Sequence, residues 1–128
     1  MRANEGAAPT ALVVAADEEM RILLRGLLQL HHVRVEAEAD GTTEALRLLR
    51  ERRPGLIVAD SHLAEGNPTE LVSRARTLVP QLRVVLIVPA SRPGTLDKVC
   101  APDALLLKPF RIQQFAEAIA PSRPPPTD

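Results

Sequence analysis

Cysteine and aromatic residues are scarce in this 128-residue chain, which has one Cys, two Phe, and neither Trp nor Tyr. Because Cys100 is alone, an internal disulfide and a metal site built from several cysteines are excluded, and we interpret it as a buried, inert thiol. Phe110 and Phe115 offer little that would stack on a flavin or on nucleic-acid bases. These absences count against a multi-cysteine metal protein, a flavoprotein and a base-stacking nucleic-acid-binding protein.

Net charge and long apolar runs are also missing. The 16 Lys and Arg residues balance the 16 Asp and Glu residues, so no net positive field attracts nucleic acid or a membrane surface. No apolar run approaches the roughly 20 residues that span a bilayer, and the N-terminus lacks the apolar core of a signal peptide. We therefore expect a cytoplasmic protein whose domain binds neither nucleic acid nor a membrane.

The size and apolar content of the chain indicate one domain. Its 128 residues, 45% of them hydrophobic, suffice for a single core. The segment PSRPPP (121–126) favours an extended conformation that cannot join a core. We predict a flexible N-terminus over residues 1–10, a domain over residues 11–120, and a Pro-rich tail or linker over residues 121–128.

Short apolar runs alternate with amphipathic segments along the predicted domain. The apolar runs predict strands and the amphipathic segments predict helices. Parallel strands need crossover helices, and strands that are apolar on both sides need a cover on both faces. Pro and Gly residues after the fourth strand predict a shortened fourth helix. The sequence thus predicts a doubly wound α/β fold with a five-stranded parallel sheet, its strands near residues 11–15, 33–37, 56–59, 84–88 and 104–107.

The amphipathic segments also predict which helical faces are buried. Apolar residues spaced three and four apart share one face of a helix. The first helix is expected to bury Met20, Leu23, Leu24, Leu27 and Leu28. In the last helix the same spacing marks Ile112, Phe115, Ala116 and Ile119.

Opposite charges follow two of the predicted strands. In a doubly wound sheet, ligands bind at the carboxyl ends of the strands, near the point where the winding reverses. Asp60 ends the third strand, Lys108 ends the fifth, and Asp17 follows the first. This edge is therefore the candidate site, with Asp60 and Lys108 as its central pair. A structural ion pair without chemistry is the alternative interpretation of these two residues.

Three segments resemble the receiver domain of response regulators, the module of two-component signalling. PGLIVADSHL (54–63) and ALLLKPF (104–110) resemble the family's third-strand and fifth-strand motifs, and ALVVAADEEMRILL (11–24) resembles its opening segment. The resemblance covers about residues 11–119. It implies a flavodoxin-like sheet with strand order 2-1-3-4-5.

The resemblance also implies a chemistry for the candidate site. Asp60 would accept a phosphoryl group from the phosphohistidine of a histidine kinase or phosphotransfer protein, while Mg²⁺ offsets the charge that gathers at phosphorus. Lys108 would pair with the phosphoryl oxygens. An aspartyl phosphate adds about 1.5 to 2 negative charges, enough to shift a bistable loop. A domain of this kind signals and is not an enzyme in its own right.

The metal-binding part of the family's pattern is altered. Ala15 and Ala16 stand where the family has the acidic pair that holds Mg²⁺, and methyl groups cannot bind a hard cation. Asp17 and Asp60 remain as the candidate metal ligands. Asp17 is also a favoured N-cap for the helix that begins near Glu18.

Two further positions depart from the pattern. Pro89 stands where the family has Thr or Ser, and it offers neither a hydroxyl nor a backbone N–H. Ser91 follows two residues later, either as a substitute donor or as an ordinary loop serine. Leu105 stands where the family has an aromatic side chain that turns inward on activation. The resemblance therefore points to an atypical, degenerate member of the family.

Three functions remain open for the candidate site. The first is a phosphoacceptor receiver. The second is a pseudo-receiver that binds a protein partner without phosphorylation, favoured by Ala15, Ala16, Pro89 and Leu105. The third is a flavodoxin-like small-molecule binder, disfavoured because a glycine-rich phosphate loop is missing.

A histidine doublet, His31 and His32, follows the first predicted helix. Neighbouring residues point in different directions, and a third ligand is not near in sequence. We therefore interpret both as exposed turn residues at the edge opposite Asp60, rather than as a metal or phosphohistidine site.

Overall fold

The computed structural model describes residues 9–90 and 102–120, which form five strands and four helices. The expected flexible N-terminus, apart from Pro9 and Thr10, and the expected Pro-rich tail lie outside the described residues. Ser91, Cys100 and the shortened helix expected before the fifth strand also lie outside them. In chain order the elements are β1 Thr10–Val14, α1 Glu18–Leu30, β2 Arg34–Ala39, α2 Thr42–Arg52, β3 Leu56–Asp60, α3 Pro68–Leu78, β4 Arg83–Pro89, β5 Ala104–Lys108 and α4 Ile112–Ile119.

The five strands form one sheet in the order β2-β1-β3-β4-β5. Every neighbouring pair is parallel, so all five carboxyl ends lie at one edge. The winding reverses between β1 and β3, where the second strand and the third lie on opposite sides of the first. The predicted doubly wound α/β fold and its strand order are confirmed.

The sheet is covered on both faces because successive side chains of each strand point to opposite sides. Leu12, Ile57 and Leu86 face α2 and α3, whereas Val13 and Val58 face α1 and α4. All five residues of β3 are buried, as its continuous apolar run predicts. The buried strand β3 lies between the two hydrophobic cores and therefore places Asp60 at the carboxyl edge of the sheet.

The buried faces of the flanking helices are narrower than the sequence predicts. Leu24 and Leu28 are fully buried in α1, but Leu23 is 48% exposed. In α4 Phe115 is fully buried, whereas Ile112, in the first turn, is 57% exposed. The prediction for Leu23 and Ile112 was wrong because the spacing marks an apolar stripe wider than the strip of helix surface that the sheet covers.

Candidate functional site

Asp60 and Lys108 meet at the carboxyl edge of the sheet, as the sequence predicts. Asp60 is the last residue of β3 and Lys108 is the last residue of β5, with β4 between them. The Lys108 Nζ lies 2.9 Å from Asp60 Oδ1. The carboxylate side chain is 2% exposed and that of the lysine 31%. The lysine thus reaches across one strand from a partly open position to a buried carboxylate.

Asp60 is held by the neighbouring strand β4. It is paired in register with Ile87 of β4, and the amide of Ser61 donates to the Ile87 carbonyl at 2.8 Å. Within the described residues, Oδ1 is enclosed and accepts no hydrogen bond of good angle, so the ammonium of Lys108 acts as its charge partner. A buried charge without such a partner is strongly disfavoured.

The end of β1 is shaped by an arginine that the sequence interpretation missed. Arg21 Nη1 donates to the carbonyl oxygens of Ala15 at 2.7 Å and Ala16 at 3.1 Å. Its Nε lies 3.8 Å from Glu38, which also accepts from Arg25 at 2.6 Å. A guanidinium of α1 therefore binds the backbone where receivers carry their acidic pair.

Asp17 is the N-cap residue of α1, which begins at Glu18. It is exposed, its backbone has the extended conformation of an N-cap, and its side chain makes no capping hydrogen bond. Nowhere in residues 9–90 and 102–120 do three or more His, Cys, Asp or Glu side chains group as metal ligands. Hard cations prefer several well-placed oxygens. The donors present do not fit the family's Mg²⁺ site, so no chemical step is assigned to a metal, and Asp17 as a ligand stays a prediction.

Pro89 and Leu105 lie on β4 and β5, the two strands on the lysine side of the ion pair. Pro89 ends β4, is exposed, and is paired in register with Lys108. As a proline it has no hydroxyl and no backbone N–H. Leu105 is partly buried and packs against the core between the sheet and the helices α2 and α3. Neither side chain adds a polar group to the site.

A glutamate in the loop after Asp60 also escaped the sequence interpretation. Glu65 accepts a hydrogen bond from the amide of Thr43, at the start of α2, at 2.6 Å. The signal was the residue before that helix: Gly41 is the N-cap and has no side chain to cap it. An N-terminus without its own cap needs an acceptor from elsewhere.

The histidine doublet lies at the opposite end of α1 from the site. His32 is exposed with φ of +64°. His31 is only partly exposed, because its ring packs 6.2 Å from that of Phe115 and its Nδ1 lies 2.9 Å from the Leu27 carbonyl oxygen. The two residues do occupy a turn, but the expectation that both are exposed is wrong for His31.

None of the described helices is long and apolar enough to span a membrane.

Comparison with known families identifies the family of the chain. The family model of the response regulator receiver domain matches residues 11–120. This chain belongs to that family. In this receiver domain Asp60 and Lys108 end the third and the fifth strand.

Individual proteins are similar to this chain at low identity, and the solved structures among them share its fold. A curated protein from Formosa agariphila, histidine kinase P4, is 26% identical over 110 residues, which are 83% of this chain and 8% of the kinase. The chain thus spans a small part of that relative. Among solved structures, the receiver domain of a modulated diguanylate cyclase from Desulfovibrio desulfuricans G20 has a TM-score of 0.78 at 23% identity, covering 88% of this chain and 90% of that one. The receiver domain of the putative response regulator NarL from Mycobacterium tuberculosis has a TM-score of 0.78 at 21% identity, with coverages of 88% and 93%.

Proposed function

We propose that Asp60 is the phosphoacceptor of this receiver domain and that Lys108 is the cation that serves it. The observation that carries the proposal is the 2.9 Å approach of Lys108 Nζ to a carboxylate that is otherwise buried. Burial without chemistry would favour an apolar residue at the end of β3. A carboxylate with a movable, partly exposed ammonium beside it suits a reaction that adds negative charge.

The ion pair gives the two carboxylate oxygens of Asp60 different roles in the proposed reaction. Lys108 holds Oδ1, which leaves Oδ2 to attack phosphorus. As the new O–P bond forms, the P–N bond of a donor phosphohistidine breaks and its electron pair returns to the imidazole. The ammonium then follows the charge onto the phosphoryl oxygens. In this scheme the residues of the chain itself hold the nucleophile and the developing charge.

The partner in this proposal is the phosphohistidine of a histidine kinase or phosphotransfer protein. We assign the domain no catalytic turnover of its own, no role in binding nucleic acid or a membrane, and a cytoplasmic setting. The support is chemical: the 16 basic and 16 acidic residues cancel, and Asp60 is paired with the ammonium of Lys108.

Intact-mass spectrometry after incubation with acetyl phosphate tests the proposal. We expect a slow, phosphate-sized gain in mass that the Asp60→Asn variant does not show, since the amide is not nucleophilic. Omitting Mg²⁺ or adding EDTA should lower the rate less than it does in an ordinary receiver run beside it, because the acidic pair is missing. No gain at any donor concentration that modifies the ordinary receiver would contradict the assignment of Asp60.

The second candidate is a pseudo-receiver that binds a protein partner in one fixed conformation. It is favoured by the methyl groups of Ala15 and Ala16, whose carbonyls Arg21 already binds, and by Pro89, which offers no donor. An unmodified protein that still binds its partner, with equal affinity in the Asp60→Asn variant, would support it.

A further inference from the structure

The loop that follows Asp60 is hydrogen-bonded to β4 and to the residues that follow β1 and β2. The loop comprises residues 61–66, between β3 and α3. Its polar backbone groups alternate between partners on β4, at the end of β1 and at the end of β2. These hydrogen bonds are Ser61 N to Ile87 O at 2.8 Å, Ala16 N to His62 O at 3.1 Å, and Ala64 N to Asp40 O at 2.7 Å.

The far end of this loop provides the cap of a different helix. The carbonyl oxygen of Glu65 accepts from the Thr42 amide at 3.2 Å. Its carboxylate accepts from the Thr43 amide at 2.6 Å and from Thr43 Oγ1 at 3.2 Å. The first amides of a helix have no partner within it and carry a partial positive charge, so a carboxylate is a favourable cap. Glu65 therefore caps α2, because the N-cap residue Gly41 has no side chain that could do so.

Two glycines allow the two segments to approach this closely. A Cβ on Gly41 would lie 2.7 Å from Glu65 Oε2, and one on Gly66 would clash with Thr42 Oγ1. Gly66 also has φ of +78°, which side chains rarely tolerate. Thr42 is 3% exposed and its hydroxyl has no hydrogen-bond partner within the described residues. The contact is therefore tight enough to bury a hydroxyl that goes unsatisfied.

From this geometry we propose that Glu65 is a positioning residue for Asp60. Its carboxylate does not touch Asp60. It anchors the loop of residues 61–66 at the start of α2, and the same loop is bonded at Ser61 and His62 beside the phosphoacceptor. Fixing Glu65 therefore fixes the protein surface through which a phosphoryl donor reaches Oδ2. The inference deepens the phosphoacceptor role proposed for Asp60 and rests on it for its effect on phosphorylation.

Amide hydrogen exchange, followed by NMR on the full chain, tests the structural half of this proposal. In Glu65→Ala we expect the amides of Thr43, Ala64 and Ala16 to exchange on the order of tenfold faster, since all three depend on the loop. Glu65→Gln keeps an acceptor oxygen and should remain close to wild type. Glu51→Ala is the matched control, because it removes a carboxylate of α2 that pairs with Arg47 and not with the loop.

The amide of Ala16 decides the outcome. If Thr43 exchanges faster but Ala16 stays protected, the cap does not reach the site and the proposal is overturned. If every amide accelerates together, including that of Val58 in β3, the comparison moves to Thr43→Ala, which removes only the hydroxyl contact. That variant should accelerate Ala16 selectively, by a smaller factor, and an unchanged Ala16 would likewise overturn the proposal.

The rate of modification by acetyl phosphate tests the functional half. We expect Glu65→Ala to slow the phosphate-sized mass gain on the order of tenfold, with Glu65→Gln and Glu51→Ala close to wild type. Equal rates in Glu65→Ala and wild type would overturn the positioning role. If the wild-type chain is not modified at all, the phosphoacceptor role fails, while the exchange data still decide whether Glu65 orders the loop.

Discussion

Asp60 is the charged side chain that the described core encloses, and Lys108 is the cation beside it. Removing a carboxylate from water costs several kcal/mol, which attraction to an ammonium offsets only in part. Because Lys108 is 31% exposed, water screens the pair and lowers its net value. Stability alone thus gives little reason for a carboxylate at this position, whereas a phosphoacceptor requires one.

Replacing Lys108 by Met should destabilise the protein by roughly 1 to 3 kcal/mol, because it leaves Asp60 buried without a charge partner. Urea denaturation measures the change. The double variant Lys108→Met/Asp60→Asn should recover most of the loss, since no buried charge then remains. A Lys108→Met protein as stable as wild type would mean that the ion pair is dispensable to the fold.

Restoring the acidic pair should create a Mg²⁺ site. In Ala15→Asp/Ala16→Asp we expect Mg²⁺ to raise the melting temperature by several degrees, because a ligand that binds only the folded state stabilises it. Without metal the variant should be less stable than wild type, since Ala15 is fully buried. The wild-type melting temperature should barely respond to Mg²⁺. An equal response in wild type would show that Asp17 and Asp60 already suffice.

The helices differ in how their ends are stabilised. In α3 Asn67 caps its own helix by accepting from the Glu70 amide at 2.9 Å, and Pro68 occupies the first turn. By contrast α2 starts after Gly41 and depends on Glu65 from another element. Local capping is readable from sequence because cap and helix are adjacent. Because Glu65 caps α2, the start of this helix is bonded to the loop that follows Asp60.

The same substitution should have opposite effects at two glycines. Gly66→Ala should destabilise the protein by more than about 1 kcal/mol, because φ is +78° and the new Cβ would meet Thr42 Oγ1. Gly26→Ala in α1 has open space around it and should stabilise by roughly 0.5 to 1 kcal/mol through helix propensity. Thermal unfolding of both variants checks this pair. A neutral Gly66→Ala would contradict the tight contact between the loop and α2.

The architecture of the domain could be predicted from its sequence, whereas the contacts around its site could not. Continuous apolar runs such as that of β3 require cover on both faces, and this fixes a parallel sheet with crossover helices. Asp60 and Lys108 could be placed because each directly ends a strand. The contacts of Arg21 and Glu65 could not be predicted, because their hydrogen bonds join segments up to 22 residues apart and produce no periodic pattern in the sequence. Leu23 was misplaced because periodicity gives the direction of a helical face but not the width of its cover.

The molecule as a whole combines the five-stranded sheet of the receiver fold with a site whose sequence departs from the pattern that the resemblance implies. The family match spans residues 11–120, and the parallel sheet places the carboxyl ends of β1, β3 and β5 at one edge. Within that frame the aspartate and lysine are present, and the acidic pair is replaced by alanines bound to Arg21. The account therefore predicts a receiver that accepts phosphate slowly through its own residues.

Mapping the phosphorylated residue tests this account most directly. The protein would be incubated with a phosphohistidine-containing transfer protein and then reduced with borohydride, which converts an aspartyl phosphate to homoserine. We predict that peptide mapping finds homoserine at position 60, in a fraction that grows slowly with time and is absent from Asp60→Asn. Conversion at another residue, or no conversion while an ordinary receiver beside it is modified, would contradict the central role of Asp60.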